Sequence, residues 1–182
     1  MILTKEQSFL KAQNQFTEMF RLVEQAVEKG LRIDQVERQL FVQMLTIALS
    51  LLEGFVVGQG DGDSGPEVQR DGHGLRRLAE KRSRRYLSIF GELLITRFVY
   101  AAREGQKIEQ VPLDERLGLP AGEFSYVLED WLQRMCVQEA FGEAVPSLKE
   151  LLGVAPSVRA AEEMNRRLAE DADAACPAAA RR

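Results

Sequence analysis

The sequence predicts an α+β fold that is mostly helical, with a small β-sheet between two helical parts. Apolar residues recur at steps of three and four before residue 58 and again after residue 120, which is typical of amphipathic helices. Between them, residues 86–100 are rich in aromatic and β-branched residues, which favour strands. We therefore predict a helical hairpin (1–57), a Gly/Asp-rich linker with a basic cluster (58–83), a β-meander (84–120), a helical segment resembling a helix-turn-helix (121–171) and a disordered tail (172–182).

The composition excludes several classes of protein. The 182 residues are 45% hydrophobic, which is ordinary for a globular chain of one or two small domains. The net charge of −4 excludes a protein that is basic overall, so any surface that binds nucleic acid must be local. Cys136 and Cys176 lie far apart, which argues against a zinc ribbon or a disulfide framework and fits a reducing cytoplasm. Lys5 and Glu6 interrupt the apolar run that a signal peptide needs, so we expect a soluble, cytoplasmic protein.

Two amphipathic helices are predicted at the N-terminus. Thr4 and Gln7 have the spacing of a capping box, and the first apolar period ends at Gly30. A second period ends at Gly54. Polar residues interrupt the apolar stretch 40–57, which predicts a buried helix rather than a membrane span. Its apolar residues surround much of the helix, and two explanations remain open: self-association, or burial against the β-meander.

Residues 58–74 are dominated by glycine and aspartate and predict a flexible linker or a long loop. The closely spaced Asp61 and Asp63 invite a calcium site, because carboxylates supply hard oxygen ligands. The third ligand and the distal glutamate of an EF-hand loop are missing, so a solvated acidic loop is the preferred interpretation. His73, the single histidine, has no partner in the sequence that would orient it as a general base, and we expect it to be an exposed loop residue.

A concentrated basic cluster follows the linker. Its members are Arg76, Arg77, Lys81, Arg82, Arg84 and Arg85. Such a cluster on an acidic protein suits contact with DNA phosphates, since release of counterions provides affinity without sequence preference. Alternatively, the cluster is a solvated connector whose charges protect an edge strand from aggregation. On charge alone, the second interpretation has a slight advantage.

The central meander is predicted to have three antiparallel strands. Residues 86–90 and 93–100 form the first two, joined by a two-residue turn at Gly91 and Glu92. A looser turn precedes the third strand at 107–111, and prolines and glycines at 112–120 end the sheet.

The C-terminal part is predicted to be helical again. An apolar stripe over 124–136 includes Trp131 and Cys136, which we expect to lie in the core. Residues 141–152 form a further helix, in which Pro146 must lie in the first turn or cause a kink. After a break, Ser157 can cap another helix that exposes four polar residues. These are Arg159, Asn165, Arg166 and Arg167, the candidates for reading a DNA groove in a helix-turn-helix.

Three segments are specific enough to indicate a family: YLSIFG (86–91), PLDERLGL (112–119) and FSYVLEDW (124–131). From Gly60 onward, the order of these and the flanking segments is similar to the N-terminal half of ISKra-type insertion-sequence transposases. The similarity is colinear over more than half of the chain.

The resemblance implies a protein of mobile DNA whose partner is DNA. In that family, a catalytic domain follows this region, and its acidic residues hold divalent metal for strand cleavage and transfer. After residues 169–173 the present sequence departs from the pattern and ends CPAAARR. An early stop, a frameshift or a chosen boundary would each give such an end, so we assign no catalytic residue, metal ligand or cofactor to this chain.

Two hypotheses follow, together with a third that we disfavour. The first is a non-catalytic transposase fragment that binds transposon ends, self-associates or forms mixed oligomers with full-length transposase, and thereby regulates transposition. The second is a structural or oligomerisation module, or a relic, with no DNA affinity. An active enzyme is disfavoured because the sequence shows no nucleophile–base pairing, no metal-ligand spacing and no Gly-rich phosphate loop. None of the three requires a membrane.

Overall fold

The computed structural model describes residues 4–138 and 140–175, with side chains as far as residue 170. The described chain divides into two compact units. The first contains the residues up to Tyr86 together with Phe90–Leu119, and the second contains Leu87–Ile89 and the residues from Pro120 onward. Both helices and antiparallel strands are present, with helices more abundant, so the predicted α+β class is confirmed.

Helices α1 (Lys5–Glu28) and α2 (Ile33–Gly58) form the predicted hairpin. The Thr4 hydroxyl accepts a hydrogen bond from the Gln7 backbone N–H at 3.2 Å, and the Gln7 side chain accepts one from the Thr4 N–H at 2.8 Å. This reciprocal pair is the predicted capping box, which satisfies donors that have no partner inside the helix. Gly30, with a φ of 62°, lies in the left-handed region and lets the chain turn back between the helices.

Small residues line the seam between the two helices and allow a close approach. The buried members are Ser8, Ala12, Ala26, Ser50 and Gly54. At Gly54 a Cβ atom would lie 2.5 Å from a ring carbon of Phe9, so the seam has no room for a larger residue.

The prediction that α2 is a buried helix is wrong. By length and composition Ile33–Gly58 could cross a membrane, and only 11% of its most apolar 18-residue window is buried. The reason is that a two-helix hairpin covers one side of each helix only. A second side of α2 packs, through Leu49, Leu52 and Val56, against a core that contains the strand residues Leu93 and Ile95. The third side remains exposed.

Five strands follow: β1 (Glu67–Arg70), β2 (His73–Arg77), β3 (Arg82–Ser88), β4 (Gly91–Arg97) and β5 (Tyr100–Ala101). They form a three-stranded sheet in the order β1-β2-β5 and a two-stranded sheet of β3 and β4. The predicted single meander is therefore wrong in its pairing. Its expected third strand at 107–111 contributes one isolated bridge, between Tyr100 and Gln110.

The linker predicted at 58–83 is also wrong, because β1 and β2 form a hairpin inside it. Asp71 (φ 49°) and Gly72 (φ 79°) make the two-residue turn with positive φ that suits the twist of antiparallel strands. The preceding loop is held by the buried Tyr100, whose hydroxyl accepts from the Ser64 N–H at 2.8 Å and donates to the Gly65 carbonyl at 2.9 Å. A distant aromatic residue thus orders a segment whose own composition indicates flexibility.

The turn between β3 and β4 differs from the prediction by two residues. It lies at Ile89 and Phe90, and Gly91 begins β4 with a φ of 141°. An added Cβ at Gly91 would lie 2.8 Å from a methyl carbon of Leu49 on α2. The glycine therefore serves the close approach of the helix to the sheet as well as the backbone conformation.

A short helix, α3 (Pro112–Leu117), stands where the end of the meander was predicted. Its Asp114 carboxylate accepts two hydrogen bonds from Arg97, at 2.8 and 3.1 Å, and one from Arg84 at 2.9 Å. The three side chains are 10–17% exposed. This charge-assisted pairing joins β3, β4 and α3 beside the core residues Leu93, Ile95 and Leu113.

The second unit contains α4 (Tyr126–Cys136), α5 (Phe141–Leu152) and α6 (Val158–Ala175). Their buried faces meet in one core, formed by Leu128, Leu132, Ala144, Val145, Leu148, Leu152, Ala161 and Met164. Cys136 packs against this core as expected, but Trp131 is 41% exposed and the prediction that it is a core residue is wrong. Pro146 lies inside α5 on its exposed side, beyond the first turn.

The helix-turn-helix prediction is not confirmed. The predicted cap is present, since the Ser157 hydroxyl accepts from the Ala160 N–H at 3.2 Å, but three packed helices do not by themselves define that motif. Helix α6 continues to Ala175, so the predicted disordered tail is helical over 172–175. The remainder of the tail, residues 176–182, lies outside the described residues.

Replacing Asp114 by asparagine should destabilise the first unit by about 3 kcal/mol, because Arg97 would keep its charge in a mostly buried place without a counter-ion. Urea unfolding followed by circular dichroism measures the change. Glu92→Gln, which breaks the exposed pair with Arg85 in the same unit, is the matched control and should cost less than about 1 kcal/mol. Equal effects of the two substitutions would contradict a special role for Asp114.

Candidate nucleic-acid interface

The basic cluster predicted to contact DNA lies on β2, on β3 and on the connection between them. Five of its six cations are engaged in ion pairs within the first unit. The carboxylates that pair with them lie in segments for which no contact with the basic cluster was predicted. Most of the cations predicted to bind DNA therefore take part in electrostatic interactions inside the protein.

Arg77 and Lys81 form one compact arrangement with Phe98. The Arg77 guanidinium lies 4.7 Å and the Lys81 ammonium 4.8 Å from the centre of the Phe98 ring, within the range of cation–π attraction. Arg77 also donates to Asp63, and Lys81 pairs with Asp61 at 2.8 Å.

These contacts also explain the two closely spaced aspartates. The hydrogen bond from Lys81 is the main cause of a lowered pKa at Asp61. At Asp63 the pKa is lowered first by the Gly65 backbone N–H and then by Arg77. Among the residues that the structure describes, no group of three or more histidine, cysteine, aspartate or glutamate side chains could hold a metal ion. The two carboxylates thus balance the basic cluster and order the loop before β1.

Arg76 and Arg85 make ion pairs at the surface. Arg76 lies opposite Glu67 in the β1–β2 register, with the charged atoms 3.3 Å apart. Arg85 donates two hydrogen bonds to Glu92, at 3.1 and 2.7 Å, and this arginine is the main cause of a lowered pKa at Glu92. Exposed pairs of this kind are weak, so a phosphate can replace the carboxylate at little cost.

Arg82 and Arg84 have opposite environments although they lie two residues apart. Arg84 is half-buried on the Asp114 carboxylate and supports the fold, so it is not available as a surface contact. Arg82 is exposed, and in the described part of the chain its guanidinium has no hydrogen bond or ion pair, while its backbone carbonyl accepts from Arg97 at 3.0 Å.

Arg97 and Phe98 are not among the residues predicted from the sequence, although both organise this region. Arg97 follows Leu93 and Ile95 at steps of two, and all three side chains are buried on the same face of β4. That alternation is the signal that could have identified Arg97 as an inward cation in need of a partner. Phe98 could not be identified from sequence, because its two cations are 17 and 21 positions away.

The four candidates on α6 belong to the second unit. Arg159 and Asn165 are exposed, whereas Arg166 pairs with Glu163 on the same helix. Arg167 donates to Glu129 of α4 at 2.7 Å. Over residues 158–170 the helix carries three arginines and three glutamates, so it presents no net positive charge to DNA.

Glu129 is the one buried carboxylate of the second unit with a shifted pKa among the described residues. Its side chain is 5% exposed, and desolvation raises its pKa, against the opposing effects of the Arg167 charge and hydrogen bond. The ionised form therefore gains less from Arg167 than it loses on leaving water.

His73 is exposed, as predicted, but it begins β2 rather than lying in a loop. An open depression beside it is lined by Arg70, Asp71 and residues 106–109. The lining mixes both charge signs. Arg70 is already engaged with the Glu109 carbonyl and the Glu115 carboxylate.

Comparison of the chain with protein-family models, with curated proteins and with solved structures gives no match.

Replacing Glu129 by glutamine should remove a pH dependence from the stability of the second unit. Between the ordinary value of 4.5 and the raised pKa, the folded state binds more protons than the unfolded state, so stability falls as pH rises through this window. Urea midpoints at about pH 5 and pH 8 should therefore differ less in Glu129→Gln than in the wild type, with the variant at least as stable at the higher pH.

Glu163→Gln, at an exposed pair with Arg166, is the control and should leave the profile unchanged. A loss of stability in Glu129→Gln at pH 8 would show that the pair with Arg167 outweighs desolvation.

Proposed function

We propose that this chain is a non-catalytic, N-terminal part of a transposase-like protein and that it binds the DNA at the ends of a mobile element. The segments that carry the resemblance to ISKra-type transposases occupy structural positions. Residues 86–91 contain the β3–β4 turn, α3 contains Asp114, and Ser125 caps α4 through the Leu128 N–H at 3.1 Å. All three segments therefore contain residues that build the fold.

The proposal that the chain binds DNA is supported chiefly by the accessibility of three arginines in the basic cluster. Arg82 is exposed, and Arg76 and Arg85 are 75% and 58% exposed in pairs that a phosphate can displace. Contact would be electrostatic and independent of sequence, since neutralised phosphates release counterions. The remaining carboxylates keep the surface close to neutral, so we expect moderate affinity.

In this proposal the chain supplies no catalytic group and no cofactor. Strand cleavage, with its divalent metal, belongs to the catalytic domain that follows this region in the family. The chain would act in the cytoplasm, on DNA and on intact transposase, by occupying the same element ends or by forming mixed oligomers.

A second candidate function is a structural or assembly module with no DNA affinity. Two observations favour it: most cations of the basic cluster are satisfied within the first unit, and α6 has no net charge over its described side chains. DNA binding separates the two candidates.

A gel shift of the full chain with a DNA fragment carrying element ends tests the proposed function. Binding should weaken by about tenfold or more between 50 and 200 mM salt if several phosphates are contacted. The triple variant Arg76→Ala/Arg82→Ala/Arg85→Ala should bind more weakly and with a smaller salt dependence.

The triple substitution Arg21→Ala/Arg103→Ala/Arg134→Ala, which removes three exposed arginines outside the basic cluster and outside α6, is the charge-matched control and should retain binding. No binding by the wild type would favour the second candidate. An equal loss in both triple variants would show that the chain uses total charge rather than this surface.

A regulatory role predicts that the chain lowers the transposition frequency of an intact element when it is supplied in trans. Counting transposition events with and without the chain measures this, and an unchanged frequency rejects the regulatory role. The triple variant should inhibit less if competition for DNA is the cause, and equally if mixed oligomers are the cause.

A further inference from the structure

Helix α2 has three apolar stripes, and only two of them are covered. The seam stripe, with Ser50 and Gly54, faces α1. A second stripe, formed by Leu49, Leu52 and Val56, packs against the β3–β4 sheet. The third stripe contains Leu51 and Phe55, each one position after a seam residue, and continues toward the N-terminus of the helix with Phe41 and Met44. All four are 46–60% exposed.

Helix α1 carries a matching stripe. Phe9, Phe16, Phe20 and Val27 follow one another at steps of seven, four and seven. Phe9 and Val27 come directly after the buried seam residues Ser8 and Ala26. Phe16 and Phe20 contact each other edge to face, with ring centres 5.0 Å apart.

The two exposed stripes lie on the same side of the hairpin. The helices are antiparallel, since Lys11 near the start of α1 pairs with Glu53 near the end of α2. Successive residues of a helix lie about 100° apart around its axis. Because the two helices are antiparallel, the residues that directly follow the seam residues point to the same side of the hairpin on both helices. Leu49, one position before the seam, turns to the opposite side, where the sheet lies. We call the shared exposed surface the aromatic face: Phe9, Phe16, Phe20, Val27, Phe41, Met44, Leu51 and Phe55.

The aromatic face is large enough for a stable interface. With roughly 150–250 Å² for a fully exposed aromatic side chain, its exposed fractions amount to roughly 800 Å². A standard protein interface buries about 800 Å² on each partner. Patches of this size on a chain usually mark an interaction site.

We propose that the aromatic face binds the same face of a second copy of this chain, so that two hairpins form a four-helix bundle. The face carries no charged residue, and the hairpin over residues 5–58, including its turn, holds six cations and seven anions. A strongly charged partner would therefore gain nothing from it, whereas an identical neutral face is complementary to it. The α2 stripe proceeds in steps of three, seven and four, which keep its residues on one side of the helix and suit packing of helices against helices. A two-fold axis pairs the same patch on both copies and closes the assembly.

A membrane fits these observations less well. Crossing a bilayer would separate Leu49, Leu52 and Val56 from the core of the first unit. Lying on an anionic surface would call for lysines and arginines in excess along the polar side, and the near-equal charge counts of the hairpin provide none.

Size-exclusion chromatography with light scattering on the full chain tests the proposal. The wild type should have the mass of two 20.5 kDa chains at concentrations down to about 10 μM, since interfaces of this area bind at micromolar or tighter affinity. Phe20→Glu/Phe41→Glu should be monomeric, because it would bury two charges in each copy. The milder Met44→Gln should weaken the dimer by about tenfold.

Leu94→Glu is the control: Leu94 is 65% exposed on β4, outside the aromatic face, and its substitution should leave the dimer intact. Circular dichroism shows that each variant keeps its helices. A monomeric wild type at 100 μM, or a double variant that remains dimeric, would overturn the proposal. So would a monomer that sediments with uncharged phosphatidylcholine vesicles in a manner abolished by the double variant, since the occupant would then be lipid. The inference does not rest on the proposed function, and DNA binding can succeed or fail independently of it.

Discussion

The first unit depends on one buried electrostatic arrangement, in which the Asp114 carboxylate accepts hydrogen bonds from Arg84 and Arg97. These three residues belong to β3, β4 and α3, which the chain brings together across 30 and 17 positions. Because the Asp114 carboxylate is mostly out of water, separating α3 from the two strands would remove both of these cations from a buried charge. The face of β4 that carries Arg97 also carries Leu93 and Ile95, and α2 packs against these two apolar residues.

Ion pairs between residues distant in sequence also determine which cations are accessible in the region where DNA contact was predicted. Asp61, Asp63 and Glu67 precede the cluster and return to it as counter-ions of Lys81, Arg77 and Arg76. The number of cations clustered in a sequence is therefore only an upper limit to the number available at a binding surface. The accessible members here are Arg82 and two arginines in surface pairs, Arg76 and Arg85.

The N-terminal hairpin shows that burial against the sheet explains only part of the apolar surface of α2. Burial against the sheet accounts for Leu49, Leu52 and Val56, and the seam accounts for the small residues that face α1. Neither accounts for the aromatic face, which is the surface that we propose a second copy covers. The sequence shows that α2 has more apolar residues than one sheet and one helix can bury. It does not show on which side of the helix the unburied residues lie.

The sequence by itself determined the features that depend on near neighbours: the α+β class, the two N-terminal helices, the capping box at Thr4 and the cap at Ser157. It failed where distant residues decide. The loop before β1 is held by Tyr100 at Ser64 and Gly65, and Asp114, which pairs with Arg84, lies 30 positions away from it. Only the tertiary structure decided which cations are exposed and which apolar stripe is left open. The physical reason is that burial and ion pairing depend on contacts through space, whereas helix caps and periodicity depend on spacing along the chain.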